Sequence, residues 1–303
     1  MQRIIVICGP TGIGKTAFSI ALAQEFNGEI IGADSMQIYK YMNIGTAKPD
    51  ADEVKAAPHH LVDFVDPKDH FDAGRFVTAA DRAIADIIDR HHLPIVAGGT
   101  GLYIKALLHG LFRSRPACQK TMDRLTCLLA EKGNQYLHDQ LFKCDPKAAE
   151  SIHVNDAFRV IRALEVFETT GERISDHQAD HRFDRHRYDY LKIGLKMDRN
   201  RLYDRINQRV DMMLEMGLLD EVRQLVNHGY PLDLKSMQSI GYKHMGMFIS
   251  GKVNWEEAVR LLKRDTRRYA KRQFTWFNKD DEIHWVEPDQ TCEAAKLVKD
   301  FLT

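Results

Sequence analysis

Hydrophobic positions in the first 110 residues follow two different periods. Short β-branched apolar runs, typical of buried strands, occupy residues 3–7, 29–33 and 93–97. Apolar residues recur at helical spacing in residues 15–26, from Asp72 to the Pro94 region, and in residues 102–108. Strands that alternate with helices predict a parallel α/β sheet. The loops after the strands then share one rim of the sheet, where ligands bind.

The pattern changes near Phe112. From Thr121 to about Thr170 only helical periodicity is present, including a helix that begins after Asn155-Asp156 and ends at Gly171. The polar stretch 175–189 is typical of a linker. After it the chain shows a strand at residues 190–195 and long helices at residues 199–216 and 255–277. We therefore predict an α/β core of residues 1–112 and 190–303, the latter with C-terminal helices, interrupted by a helical insertion of residues 113–189.

Composition narrows the class of protein. The chain has 303 residues, 44% of them apolar, which excludes global disorder. No apolar run approaches the ~18 residues of a membrane span, and the sequence begins directly with the first strand, so we expect no leader, a cytoplasmic location and no membrane attachment. Five scattered cysteines without a C-x-x-C pair indicate reduced thiols. The histidine pairs 59–60 and 91–92 are typical of polar loops rather than metal sites.

Charge is segregated along a chain whose net charge is zero. Residues 263–279 carry seven basic side chains and one acidic one, and residues 182–209 carry nine basic and four acidic ones. Residues 1–110 carry 10 basic and 13 acidic side chains. Each basic run is compatible with an ordinary solvated helix face. Two such runs in a neutral protein also favour a polyanionic partner.

The turn after the first strand carries a complete phosphate-binding sequence. It fits the pattern G-x-x-x-x-G-K-T and opens a predicted helix, so backbone N–H groups and the helix N-terminus can converge on phosphate oxygens. The predicted residues are Gly9, Pro10, Thr11, Gly12, Ile13, Gly14, Lys15 and Thr16. Lys15 would neutralise the terminal phosphate, and Thr16 would hold Mg²⁺. The core is therefore predicted to be P-loop NTPase-like, with a diphosphate or triphosphate ligand.

The carboxylate at the end of the second strand, Asp34, leaves the chemistry open. The strand at 93–97 ends in Gly-Gly-Thr-Gly rather than in an aspartate, and the chain has no N-K-x-D. Asp34 could cap a helix, bind magnesium, or act as a base beside the phosphate pocket. A small-molecule or nucleotide kinase shares this arrangement and predicts ATP turnover without RNA. A nucleotide-switched RNA-binding module is a third possibility, although its switch elements are missing.

Several further motifs occur in a fixed order along the chain. They are Ala-Asp-Ser-Met-Gln-Ile-Tyr at residues 33–39, Asn-Ile-Gly-Thr-Ala-Lys-Pro at 43–49, Ala-Gly-Gly-Thr-Gly-Leu-Tyr at 97–103, Asn155-Asp156 with Arg-Ala-Leu-Glu-Val at 162–166, Ile-Gly-Tyr-Lys at 240–243 and Ala-Lys-Arg-Gln-Phe-Thr-Trp at 270–276. With the phosphate loop, this set closely resembles the bacterial tRNA dimethylallyltransferases, also called isopentenyltransferases. The matches span residues 8 to about 278.

The resemblance implies transfer of a dimethylallyl group from dimethylallyl diphosphate to N6 of the adenosine 3′-adjacent to a tRNA anticodon, by a Mg²⁺-dependent monomer. It assigns the general base to Asp34, leaving-group stabilisation to Lys15 and Arg209, and a substrate contact to Thr100. Without the resemblance, Arg209 could form a surface ion pair and Thr100 could cap a helix. The residues predicted to contact tRNA, from the resemblance and from the basic run at 263–279, are Asp34, Ser35, Met36, Gln37, Thr100, Phe158, Arg159, Val160, Ile161, Arg162, Lys243, Arg268, Lys271 and Arg272.

Two positions depart from the family pattern. Ile13 stands where the family often has serine or threonine, although the loop geometry depends on its glycines and on Lys15-Thr16. Met122 stands near the expected place of a tRNA-contacting arginine, which weakens that contact or moves it to Arg124. Gln37 is expected to read the adenine edge through paired hydrogen bonds. Arg159 and Arg162 could equally form a solvated face of their helix.

Overall fold

Six parallel strands form a sheet in the computed structural model of the chain. They are β1 (Arg3–Cys8), β2 (Gly28–Gly32), β3 (His59–His60), β4 (Leu93–Gly98), β5 (Asp189–Leu195) and β6 (Ile283–Val286). Their order across the sheet is β3-β2-β4-β1-β5-β6. The four predicted strands are confirmed to within one residue at each end. The two edge strands were missed because they are too short to show a period.

The structure describes residues 1–111, 118–181 and 186–303. The helices of this part of the chain are α1 (Lys15–Glu25), α2 (Ala51–Ala56), α3 (Ala73–Asp89), α4 (Gly101–His109), α5 (Gln119–Cys144), α6 (Pro146–Ser151), α7 (Ala157–Thr170), α8 (Ile174–His181), α9 (Arg199–Glu215), α10 (Leu218–Asn227), α11 (Tyr242–Ile249), α12 (Trp255–Phe277) and α13 (Thr291–Leu302). The linker predicted for residues 175–189 is wrong over residues 175–181, because these belong to α8.

Side-chain caps explain why two predicted helices begin where they do. Asp72 accepts a hydrogen bond from the backbone N–H of Arg75, and Asp156 accepts one from that of Arg159. These bonds satisfy N–H groups that the first turn of a helix leaves without a partner. Gly171, in the left-handed region with φ 74°, ends α7 as its sequence position predicted.

The chain divides into two compact units. Unit 1 comprises residues 1–108 and 187–303 and contains the sheet, whereas unit 2 comprises residues 109–186. The predicted boundary between residues 112 and 113 lies outside the described residues. Unit 2 contains α5 to α8, whose core includes the buried residues Leu137, Leu141, Val160 and Leu164.

Both faces of the sheet are buried, which explains why its strands are continuously apolar. Alternate residues of β1 point to opposite sides: Ile5 and Ile7 pack with α1 and α9, while Ile4 and Val6 pack with α3 and α4. Burial of both faces is typical of parallel sheets with helical crossovers. A third apolar cluster surrounds the fully buried ring of Tyr242 and joins α9 to α12. This cluster places the C-terminal helices beside the rim of the sheet.

A buried carboxylate, Glu29, ties the start of β2 to its neighbours. Its side chain is 4% exposed and is hydrogen-bonded to His60 Nε2 and His92 Nδ1, both at 2.6 Å, and to Arg90 Nη2 at 2.7 Å. Burial opposes ionisation of this carboxyl, but the three hydrogen bonds outweigh it and lower its pKa to about 2. His60, predicted to lie in a loop, therefore belongs to β3 and stabilises the sheet edge.

Glu29→Gln should reduce the sensitivity of the fold to acid. In the wild type, ionised Glu29 stabilises the folded state above the ordinary pKa of 4.5, and this contribution is lost as the pH falls towards 2. The full loss is on the order of 3 kcal/mol. Urea unfolding between pH 7 and pH 3 should therefore show a less stable variant at neutral pH with a shallower acid slope. The exposed Glu25→Gln is the control, and equal slopes for Glu29→Gln and wild type would contradict the prediction.

Candidate active site

The loop between β1 and α1 has the backbone shape of a phosphate-binding loop. Gly12 and Gly14 have φ values of 81° and 107°, which side chains other than glycine adopt only with strain. A Cβ on Gly12 would also lie 2.9 Å from Ile206 Cγ1 of α9. Gly14 immediately precedes α1, so the loop leads into the positive end of the helix dipole. The glycine spacing is thus required by both backbone conformation and packing.

Lys15 lies across this loop. Its Nζ donates hydrogen bonds to the carbonyl oxygens of Gly9 and Pro10 at 3.0 and 2.9 Å. Burial lowers the pKa of Lys15 to about 8, with Asp34 opposing the shift and Arg209 adding to it. An ammonium group that is desolvated in this way gains strongly from a phosphate anion.

Two arginines of α9 approach the same loop. Arg209 Nη1 donates to Thr11 Oγ1 at 3.4 Å, although the two residues are 198 positions apart in sequence. Burial lowers the pKa of Arg209, Asp34 opposes that shift, and Arg205 adds to it. Arg205 lies one turn away, and a Cβ on Gly14 would be 3.4 Å from its Nη2. Arg205, Arg209 and Lys15 therefore line one polar cavity of about 340 Å³.

Asp34 follows β2 and lines that cavity. Its Oδ1 accepts hydrogen bonds from the backbone N–H groups of Met36 and Gln37 at 2.8 and 3.3 Å. These residues form a turn rather than a helix, which excludes the helix-cap alternative. Within the described part of the chain, Oδ2 of Asp34 accepts no hydrogen bond. One carboxylate oxygen is thus held by the backbone, and the other can accept a proton.

Thr100 connects the loops after β2 and β4. Its Oγ1 accepts a hydrogen bond from the N–H of Ser35 at 3.1 Å, and its side chain lies near the Tyr269 hydroxyl of α12. Burial and the nearby Asp34 carboxylate raise the pKa of Tyr269, which therefore stays protonated. The Thr100 hydroxyl consequently positions Ser35 beside Asp34.

The amide of Gln37 is engaged inside the protein. Its Nε2 donates to the carbonyl oxygens of Thr46 and Ala47 at 3.2 and 2.8 Å. Both amide protons are used by these bonds. A paired contact with an adenine edge, as predicted for Gln37, would require them to break. In this structure Gln37 instead holds the loop that lines the cavity.

A second cavity of about 340 Å³ adjoins the polar one. Its walls include the apolar side chains Met36, Ile206, Val210, Met213, Ile240 and Leu262. Asp34 and Arg209 line both cavities. The site therefore combines a cationic compartment for phosphate with an apolar compartment, and a carboxylate stands where they meet.

The structure separates the predicted phosphate-binding residues into three groups. Thr11, Gly12, Gly14, Lys15 and Thr16 line the polar cavity. The side chain of Ile13 is fully buried in the core, so its contribution is limited to its backbone. Gly9 and Pro10 act through the carbonyl oxygens that hold Lys15.

Sequence reasoning missed Glu221, a residue of α10. Its Oε2 accepts hydrogen bonds from the N–H groups of Asn43 and Ile44, and its Oε1 accepts from Gly45 N–H and from the Tyr242 hydroxyl at 2.6 Å. The same contact brings together the motifs at 43–49 and 240–243. A single acidic residue in an amphipathic helix carries no local signal of such a role.

The predicted tRNA contacts of unit 2 differ in exposure. Phe158 is 66% exposed, and Arg159 is exposed while paired with Asp156. Val160 and Ile161 are buried in the unit's core, so their side chains cannot reach an RNA and the prediction for these two is corrected. Arg162 forms an ion pair with the buried Glu165.

The structure also shows where Met122 lies, the residue found near the expected place of a tRNA-contacting arginine. Met122 packs against the apolar core of unit 2 and does not present a polar group for RNA. Arg124, the substitute considered from the sequence, forms an ion pair with Glu168. A tRNA contact by Arg124 would have to compete with that pair.

The basic residues of α12 remain accessible. Arg268, Lys271 and Arg272 are exposed, and Arg272 also borders the apolar cavity. Lys243 and Arg268 lie 3.5 and 3.9 Å from the carboxylate of Asp265, which also pairs with Arg264. Hydrogen bonding to Arg264 holds the pKa of Asp265 well below its usual range. The helix therefore keeps a net positive surface next to the site.

The oxygen donors of the polar cavity suit Mg²⁺. Thr16 and Asp34 both line it, and hydroxyl and carboxylate oxygens are ligands that Mg²⁺ accepts. Among residues 1–111, 118–181 and 186–303, no cluster of three or more His, Cys, Asp or Glu side chains could hold a metal by itself. A bound Mg²⁺ would thus depend on phosphate oxygens and water, as is common at phosphate sites.

Sheet, loop and cavities together define a P-loop α/β protein with a cationic cavity beside its glycine-rich loop. The family model for IPP transferase matches residues 37–280, and that for isopentenyl transferase matches residues 2–66. The tRNA dimethylallyltransferase of Desulfosudis oleivorans is 52% identical over 301 residues, which cover 99% of this chain and 96% of that relative. This chain belongs to the tRNA dimethylallyltransferase family, as its ordered motifs predicted.

Solved structures agree with this assignment. The tRNA isopentenylpyrophosphate transferase of Bacillus halodurans matches with a TM-score of 0.75 and 41% identity, over 100% of this chain and 97% of that one. A eukaryotic dimethylallyltransferase acting on tRNA matches with a TM-score of 0.85 and 32% identity, over 100% of this chain and 80% of that one. No helix in the described part of this chain is long and apolar enough to cross a membrane.

Proposed function

We propose that this protein transfers a dimethylallyl group from dimethylallyl diphosphate to N6 of the adenosine 3′-adjacent to the anticodon of tRNA. The observation that carries the proposal is the pair of adjoining cavities that share Asp34 and Arg209. The cationic cavity suits the diphosphate, and the apolar one suits the prenyl chain. An adenine entering beside Asp34 would reach the carbon that joins the prenyl chain to the diphosphate.

The cations of the polar cavity stabilise the leaving group. When the allylic C–O bond breaks, negative charge accumulates on the diphosphate. Lys15, Arg205 and Arg209 line the cavity that would hold this charge, and the loop amides add further donors. Mg²⁺ held by Thr16 and the diphosphate oxygens would supply additional positive charge at the leaving group. Desolvation strengthens each of these interactions.

Asp34 acts on the nucleophile, the amino group of adenine. The exocyclic amino group of adenine is a weak nucleophile whose proton must leave as the N–C bond forms. Asp34 Oδ2 accepts this proton, while the Met36 and Gln37 amides hold Oδ1 in place. The adenine must leave its stack in the tRNA to reach the site.

The tRNA would bind through several surfaces. On unit 1 we propose that four residues at or near the two cavities contact the tRNA: Ser35, Met36, Thr100 and Lys243. Arg268, Lys271 and Arg272 would bind its phosphates. On unit 2 we propose Phe158 as an exposed aromatic contact, with Arg159 and Arg162 beside it.

Labelled dimethylallyl diphosphate provides the direct test. Incubation with Mg²⁺ and bulk tRNA should place label in the RNA, whereas omission of Mg²⁺ should strongly reduce incorporation. ATP should not be consumed, because the loop holds a leaving group rather than a group to be transferred. Stoichiometric ADP formation without RNA labelling would instead establish the kinase alternative.

Charge reversal on α12 should weaken tRNA binding and flatten its salt dependence. In Arg268→Glu and Lys271→Glu, the loss of one phosphate contact should reduce the slope of log affinity against log salt by ~0.7–0.9. Arg260→Glu, an exposed residue near the start of the same helix, is the matched control. Filter binding between 50 and 200 mM salt measures the slope. If Arg268→Glu and Lys271→Glu keep the wild-type slope, the basic run of α12 is an ordinary solvated helix face.

A further inference from the structure

Helix α12 presents different residues to solvent and to the phosphate loop. Arg268, Lys271 and Arg272 are exposed, whereas the neighbouring Gln273 is only 5% exposed. Its Oε1 accepts a hydrogen bond from the N–H of Thr11, and its Nε2 donates one to the carbonyl of Gly99, both at 2.8 Å. One side-chain amide therefore bridges the loops after β1 and β4.

Any side chain at position 99 would displace this amide. A Cβ on Gly99 would lie 2.2 Å from Gln273 Nε2, closer than real atoms approach. The second glycine of the Gly98-Gly99-Thr100-Gly101 turn is therefore needed for the approach of Gln273. The motif at 97–103 and that at 270–276 are physically complementary.

Thr11 links this contact to the site. Its N–H is used by Gln273 and so is not free to bind phosphate, while its hydroxyl accepts from Arg209 Nη1 at 3.4 Å. A change in the position of Thr11 would therefore displace both the phosphate loop and the arginine proposed to stabilise the leaving group.

We propose that Gln273 is a positioning residue for the diphosphate, and that it joins the helix carrying the basic tRNA surface to the phosphate loop. The inference rests on the proposed function. Only a side chain with one acceptor and one donor satisfies Thr11 N–H and Gly99 C=O together. Glutamate can accept from Thr11 but would direct a second oxygen at the Gly99 carbonyl. Methionine has similar size and replaces neither bond.

Diphosphate affinity and donor kinetics test the proposal. Gln273→Met should weaken binding of inorganic diphosphate, measured by calorimetry with Mg²⁺, and raise the KM for dimethylallyl diphosphate, each by about 10-fold or more. Its affinity for tRNA should stay within about 2-fold of wild type. Gln273→Glu should be weaker still, because it adds a negative charge beside the loop. Tyr188→Phe, which removes the hydrogen bond of a buried tyrosine to Asp81, is the control for a general loss of stability.

The outcomes separate the possible failures. If Gln273→Met lowers Tm as Tyr188→Phe does but keeps the wild-type diphosphate affinity and donor KM, Gln273 has only a structural role and the inference is overturned. If wild type places no label in tRNA, the proposed function fails. The diphosphate titration still decides whether Gln273 positions the loop in that case, because it needs neither tRNA nor turnover.

Discussion

Asp34→Asn is expected to bind tRNA and dimethylallyl diphosphate within a few-fold of wild type and to react roughly 10²- to 10⁴-fold more slowly. The asparagine oxygen can still accept from the Met36 and Gln37 amides, so the turn keeps its shape. The amide cannot accept the proton that leaves adenine. Single-turnover rates at saturating substrates measure the chemical step directly. Asp34→Ala should be at least as slow.

A magnesium titration distinguishes a base from a metal ligand at position 34. If Asp34 chiefly binds Mg²⁺, the defect should lie in metal and donor affinity, and excess Mg²⁺ should partly restore the rate. Rescue of that kind would defeat the general-base role while leaving the transferase function intact. Asp72→Asn is a suitable control, because asparagine can still cap α3 at a position outside both cavities.

Lys15→Met is expected to lower kcat/KM for the prenyl donor by about 10²- to 10³-fold, the usual effect of losing one donor to a developing anion. Methionine keeps much of the side-chain volume but carries no charge. Arg209→Ala should act in the same direction, because Arg209 lines the same cavity. Neither variant should change tRNA affinity more than about 2-fold. Loss of tRNA binding with normal donor kinetics in Arg209→Ala would show that Arg209 contacts RNA phosphate instead.

The lowered pKa of Lys15 gives this prediction a pH signature. With a pKa of about 8, Lys15 is charged below pH 8 and becomes neutral above it. Diphosphate binding favours the charged form, so wild-type affinity should fall as the pH rises above 8. Calorimetry from pH 7 to pH 9.5 measures the effect without tRNA. Lys15→Met should lack this fall, and an identical pH profile in both proteins would exclude Lys15 as its source.

Local sequence predicted the parts of the molecule that depend on neighbouring residues. The central strands have continuous apolar runs because both faces of the sheet are covered, and that pattern is visible in the chain. The phosphate loop is equally local, because its glycines and Lys15-Thr16 are consecutive residues with a fixed geometry. The caps Asp72 and Asp156 act on N–H groups three residues away. The order of the motifs also identified the family.

Only the tertiary structure shows which residues far apart in the sequence contact one another. Gln273 reaches Thr11 across 262 positions, and no periodicity or spacing encodes that contact. Glu221 and Glu29 look like ordinary acidic residues, yet each collects several hydrogen-bond donors from separate segments. Val160 and Ile161 belong to a motif that resembles a tRNA-contacting segment, but packing of the helical unit buries them.

Local features could be predicted from the sequence and contacts between distant residues could not, for a physical reason. Backbone conformation and the burial of a strand or helix depend mainly on nearby side chains, so they leave a repeating pattern in the sequence. Cavities and shared hydrogen bonds depend on which elements pack together, and one side chain suffices to form them. The sequence therefore determined the fold, the phosphate loop and the family. Only the packed structure determined that Asp34 and Arg209 line both the cationic and the apolar cavity.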